Sequence, residues 1–185
     1  MNIVAIDAGH GGEEKGASYC GVDEKNINLC VAGMVSTYLR FRGVKVFETR
    51  STDTTIPLRE RIRVINELKP SLLVSIHVDA LPNNPEVSGG HLIIAAQRSR
   101  ITERMSRAVN LTLSRLGRWN VNGMRDVDNK GIVTRTTCPA MIVELGFMTN
   151  RGDLRNICNN ICTYAQIVGE ALQSAGDLGY ENYGS

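Results

Sequence analysis

Residues 71–80 read SLLVSIHVDA. An apolar run through Leu72, Leu73, Val74 and Ile76 ends on His77, with Asp79 two places further on. A run this apolar and this short, with Pro70 before it and the turn-rich LPNNPEVSGG (81–90) after it, describes a strand covered on both faces. The N-terminus has the same shape: NIVAIDAGHGG (2–12) passes through Ile3, Val4 and Ile6 to Asp7, His10 and a pair of glycines. HLIIAA (91–96), AMIVELG (140–146) and VKVFETR (44–50) supply further strands.

Helical periodicity fills the intervals. From Glu24 onward, Ile27, Cys30, Val31, Met34, Val35, Tyr38 and Leu39 recur at helical spacing up to Gly43, a residue suited to ending a helix. Pro57 opens a second helix with Leu58, Ile62, Ile65 and Leu68 on one face, and Pro70 closes it. A third helix is expected over 100–116, and a last one carries Leu154, Ile157, Ile161, Ala165, Val168 and Leu172. Arg118–Lys130 reads as a loop, GIVTR (131–135) as a short extended piece, and DLGYENYGS (177–185) as a frayed tail. The alternation predicts an α/β three-layer sandwich, with a largely parallel twisted sheet covered by helices on both faces. One domain is expected over 1–175, followed by a flexible tail at 176–185.

Composition narrows the function. A net charge of +2 over 185 residues argues against a nucleic-acid binder led by a large basic surface. No run approaches the roughly 20 apolar residues of a membrane span, so no membrane insertion is expected. No signal peptide precedes the first strand, which points to synthesis in the cytoplasm. The five cysteines are an odd number without a CxxC pair, unlike a disulfide framework. Cys158 and Cys162, four apart on the last helix, are expected in its apolar stripe.

In open α/β sheets, ligands bind beyond the carboxyl ends of the strands. His10 follows the first strand, His77 ends the third, and Glu144 ends AMIVE, flanked by apolar residues where an unused carboxylate is costly. Glu24, at a helix start beside a glycine-rich loop, is within reach of the same rim. Two histidines and two carboxylates are the inventory of a catalytic zinc site. The plainer readings also stand. A lone histidine at a strand end is more often a hydrogen-bonded structural residue, and an acidic residue suits any first helical turn. Asp7 and Asp79 equally suit partners that orient the imidazoles. His91, at the start of a strand, is expected to be exposed.

The motifs IDAGHGG, KGA, DEKNINL, FETRSTD, LRERIRVIN, LVSIHVDA and CPAMIVELGFMTN, in that order over residues 3–150, resemble the zinc-dependent N-acetylmuramoyl-L-alanine amidases, a family found in autolysins and phage lysins. The resemblance implies one Zn2+ per chain held by His10, Glu24 and His77, with Glu144 as the catalytic glutamate. It also implies peptidoglycan as substrate, cut between the lactyl group of N-acetylmuramic acid and L-alanine. Family members more often carry proline at Ala8 and asparagine at Asp79; neither is a ligand position. The inserted helices that block some members are not evident, nor is a wall-binding module. An enzyme of this kind without a signal peptide reaches the wall by lysis, through a membrane pore or by another export route. Two alternatives remain: a zinc metallopeptidase cutting within the stem peptide, and a catalytically silent wall-binding module. Substrate contacts are not assigned. Arg50, Arg59, Arg61 and Arg125 are candidates for stem-peptide carboxylates, although solvated helix-face arginines account for most such residues.

Overall fold

A computed structural model describes residues 3–129 and 131–180. In chain order the elements are β1 (Ile3–Ala8), the short β2 (Ser18–Tyr19) and β3 (Val22–Asp23), α1 (Glu24–Phe41), β4 (Lys45–Glu48), α2 (Leu58–Leu68) and β5 (Leu72–Asp79). There follow β6 (Gly90–Ala95), α3 (Arg100–Leu113), β7 (Trp119–Val127), α4 (Gly131–Thr134), β8 (Ala140–Phe147), α5 (Arg151–Asn159) and α6 (Ile161–Tyr180). Six strands form one sheet in the order β4-β1-β5-β8-β6-β7. β1 pairs in parallel with β4 and β5, β5 with β8, and β6 with β7, while β6 runs antiparallel to β8. The sheet is mixed but mostly parallel, as the alternating elements predict.

Strand pleating divides the core into two layers. Leu72, Val74, Ile76 and Val78 of β5 face one side, packed with Val31 and Val35 of α1, Met105 and Val109 of α3, and Val168 and Leu172 of α6. Leu73 faces the other, where Ala5, Ile93 and Ile142 meet Ile62 and Ile65 of α2 and Ile132 and Val133 of α4. These two helices are short, 11 and 4 residues, and leave part of their face uncovered. Asp7, Ser75, His77 and Glu144 share that face and line a cleft of about 530 Å³. No helix among the described residues is long and apolar enough to cross a membrane.

Several elements differ from expectation. The expected loop at 118–130 contains β7, a strand at the sheet edge, where one-sided pairing tolerates polar residues. GIVTR is not extended: Ile132 and Val133 are adjacent and pack into the same core layer, whereas a pleated strand would send them to opposite faces. The last helix is two, broken at Asn160, where the backbone leaves helical values (φ −126°, ψ 29°). That break turns the stripe, and Cys158 and Cys162 are exposed rather than in the core. α6 runs to Tyr180, through the start of the expected tail, and residues 181–185 lie outside those described.

Candidate active site

The loop after β1 turns sharply. His10 has φ +60°, and the backbone folds back so that the first residues of α1 bond to it: the Glu24 amide donates to Ala17 O and the Lys25 amide to Lys15 O. Two glycines admit the close approaches this requires. A β-carbon on Gly9 would lie 2.2 Å from Cε1 of His77, and one on Gly16, at φ +67°, would lie 2.4 Å from Oε2 of Glu24. Glu24 thus enters the sheet face from the first turn of α1, 5% exposed.

The structure brings His10, Glu24 and His77 together. One potential ligand atom from each lies within 4.8 Å of the others. His77 Nδ1 is 2.9 Å from Glu24 Oε1, and His10 Nε2 is 3.2 Å from Oε2. The rings meet edge-on, with centroids 5.1 Å apart. Glu24 also accepts from the amides of Ala17 and Val78 and from Asn28 Nδ2. Burial opposes ionisation of Glu24, but hydrogen bonds to His10 and His77, reinforced by their charge, hold its carboxyl well below the usual range. His77 is affected in the opposite sense: burial disfavours its charge, yet the Glu24 hydrogen bond and the nearby Glu144 carboxylate raise its pKa. Imidazole nitrogens and a carboxylate oxygen form a donor set suited to zinc. The side chains of His10 and His77 remain 32% and 21% exposed, so the set is reachable from solvent.

Glu144 is 6% exposed and lines the same cleft. It is in register with His77 on β5 and, across its other edge, with His91 on β6. His91 is buried, contrary to expectation: it stacks on Phe147 at 5.5 Å, and its Nε2 is 3.5 Å from Asp79 Oδ2. Asp79 also faces Arg125 at 3.7 Å and so does not orient the imidazoles of His10 and His77. Nor does Asp7, which accepts from Thr49, Ser75 and Arg61.

Arg50 and Arg61 are not solvated. They are 4% and 5% exposed and donate to backbone carbonyls around His10. Arg59 is exposed on α2, and the Arg125 side chain is half exposed. The sequence reading did not assign Asn28, Lys25 or Thr55 to the site, although all three hold its loop or Glu24. Two signals were available: Arg61 falls on the Leu58–Ile62–Ile65 stripe, and Asn28 lies one turn after Glu24.

An α/β domain with a His–Glu–His donor set beyond its parallel strands, and a buried glutamate alongside, has the make-up of a metal-dependent hydrolase. Residues 4–174 match the sequence profile of N-acetylmuramoyl-L-alanine amidase, and the chain belongs to that family. It is 30% identical over 179 residues to the uncharacterized protein YqiI of Bacillus subtilis, covering 96% of this chain and 84% of that one. Identity to the germination-specific N-acetylmuramoyl-L-alanine amidase of the same species is 27% over 162 residues, 80% of this chain and 68% of that protein. The crystal structure of N-acetylmuramoyl-L-alanine amidase from Clostridium difficile 630 superposes with a TM-score of 0.87 at 25% identity, covering 100% of this chain and 98% of that one.

Proposed function

We propose that this chain hydrolyses the amide bond between N-acetylmuramic acid and L-alanine in peptidoglycan, with one zinc ion held by His10, Glu24 and His77 and with Glu144 moving the protons. The observation that carries the reading is the convergence of three donor atoms within 4.8 Å in the cleft that Glu144 also lines, in a chain of this family. Residues 1–175 make up the catalytic unit.

Zinc, when bound, polarises a carbonyl and makes water a competent nucleophile near neutral pH. The chain's own residues do the rest. His10, Glu24 and His77 would hold the ion. Glu144 accepts a proton from the attacking water and delivers one to the alanine nitrogen as the C–N bond breaks. The products are a carboxylate on the lactyl group and a free alanine amine. No serine or cysteine nucleophile is needed, and no cysteine is among the residues lining the cleft.

The test is mass spectrometry of purified peptidoglycan after digestion, with and without a chelator. Stem peptides beginning at L-alanine beside peptide-free glycan, lost on chelation, are the expected result. Fragments cut inside the peptide would replace the amidase by a metallopeptidase, and no fragments from zinc-loaded protein would reduce the site to a binding site.

A further inference from the structure

The loop that carries His10 makes unusual use of side chains. Five successive carbonyls, Ala8 to Gly12, each accept a hydrogen bond from a side chain. Ala8 O accepts from Arg50 Nε at 2.9 Å and Arg61 Nη1 at 2.6 Å, and Gly9 O accepts from Arg50 Nη2 at 2.9 Å. His10 O accepts from Arg61 Nη2 at 2.7 Å, Gly11 O from Thr55 Oγ1 at 3.1 Å, and Gly12 O from Lys25 Nζ at 2.7 Å. Asn28 Nδ2 also donates to Gly9 O at 3.2 Å, and three of the five donors come from the segment between β4 and the first turn of α2, which cradles the loop.

Arg61 is the centre of this cradle. Its Nη1 also meets Asp7 Oδ1 at 2.7 Å and its Nε donates to Ile56 O at 2.8 Å, while Asp7 is seated by Thr49 and Ser75 at 2.6 and 2.5 Å. Burying two guanidiniums beside one carboxylate is expensive, and a leucine at position 61 would close the apolar stripe of α2 at far lower cost. What a leucine cannot do is bridge the carbonyls on either side of Gly9. A planar fork can, because it presents several donors in one fixed geometry.

We propose that Arg61, seated by Asp7 and backed by Arg50, is the positioning residue of the metal-binding loop. By gripping Ala8 O and His10 O it holds His10 in the left-handed backbone conformation and keeps its imidazole on Glu24. The donor set is thereby assembled before the ion arrives. This inference rests on the metal site proposed above.

The experiment compares wild type, Arg61→Lys and Arg61→Ala, with Arg50→Lys as a milder variant should Arg61→Ala not fold. Zinc affinity is read by competition with a chromophoric chelator, and hydrogen exchange is followed separately at the amides of residues 9–14 and of β5. Both Arg61 variants are expected to bind zinc about 10–100-fold more weakly, the range typical of residues that orient ligands. Their loop amides exchange faster than in wild type while β5 is little changed. Lysine does not rescue, and added guanidinium ion at millimolar concentration partly restores zinc affinity in Arg61→Ala. Wild-type affinity and loop exchange in Arg61→Lys would overturn the positioning role alone. Exchange that rises equally in β5 would make Arg61 a general stability residue and also overturn it. Failure of the wild type to bind zinc would overturn both this role and the metal site.

Discussion

Glu144 on β8 and His77 on β5 are register partners on adjacent parallel strands, so a carboxylate and an imidazole stand side by side over the same cleft. His77 is directed at Glu24, 2.9 Å away, whereas Glu144 is not a member of the three-residue donor set. Under the proposed function, that division separates holding an ion from moving a proton. Glu144→Gln keeps the shape and removes the proton acceptor. Hydrolysis is expected to fall by about 10²–10⁴-fold, with zinc content still near about one per chain. Metal analysis beside the peptidoglycan assay checks this, and loss of zinc from the variant would assign Glu144 a ligand's role.

His77→Ala should behave in the opposite way. It removes one of three donors and leaves Glu24 buried with a single imidazole partner. Zinc affinity is expected to fall beyond the ~10–100-fold seen when only an orienting residue is lost. Chelator competition measures it, and unchanged affinity would count against His77 as a ligand.

Gly9 tests the packing behind the site. A β-carbon there would lie 2.2 Å from the His77 ring, whereas one on Gly33, inside α1, would meet nothing within 4 Å. Gly9→Ala is therefore expected to cost roughly 1–3 kcal/mol through overpacking and to weaken zinc binding. Gly33→Ala should gain roughly 0.5–1 kcal/mol from helix propensity alone. Urea unfolding of the two variants separates these; equal effects would show that His77 shifts freely.

The two-sided burial of β1, β5, β6 and β8 is what made them legible, since a central strand writes its position as an uninterrupted apolar run. β7 lacks that mark because WNVNGMRDV carries polar residues along its length. The break at Asn160 was hidden because an apolar stripe continues across it, and only the exposure of Cys158 and Cys162 reveals the turn. In the site, His10, His77 and Glu144 were readable as polar residues at strand ends. His91 was not, because β6 runs antiparallel to β8, so that its beginning rather than its end lies beside the carboxyl ends of the parallel strands. No local pattern encodes that reversal. The cradle of Arg50, Arg61 and Asp7 depends on contacts 41 to 54 residues apart in sequence. Helical spacing marks Arg61 as facing inward but does not say what it meets.

Asp7 supplies a pH-dependent test of the buried pair with Arg61. It is 2% exposed; burial alone would raise its pKa, but the Arg61 guanidinium, with the Ser75 and Thr49 hydroxyls, lowers it below the ordinary value. A carboxyl whose folded pKa is depressed contributes stability that is fully present above its unfolded pKa of about 3.9. The contribution is lost as pH falls through the lower folded value. Asp7→Asn removes the charge and leaves Arg61 buried without it, which is expected to cost about 3–5 kcal/mol near neutral pH. Because asparagine does not titrate, the stability gap between wild type and variant should narrow as pH drops below about 4. Urea unfolding of both proteins at several pH values from 7 to 3 gives that gap directly, and a gap that stays constant across the series would mean that the Asp7 carboxylate contributes no ionic stabilisation to the fold.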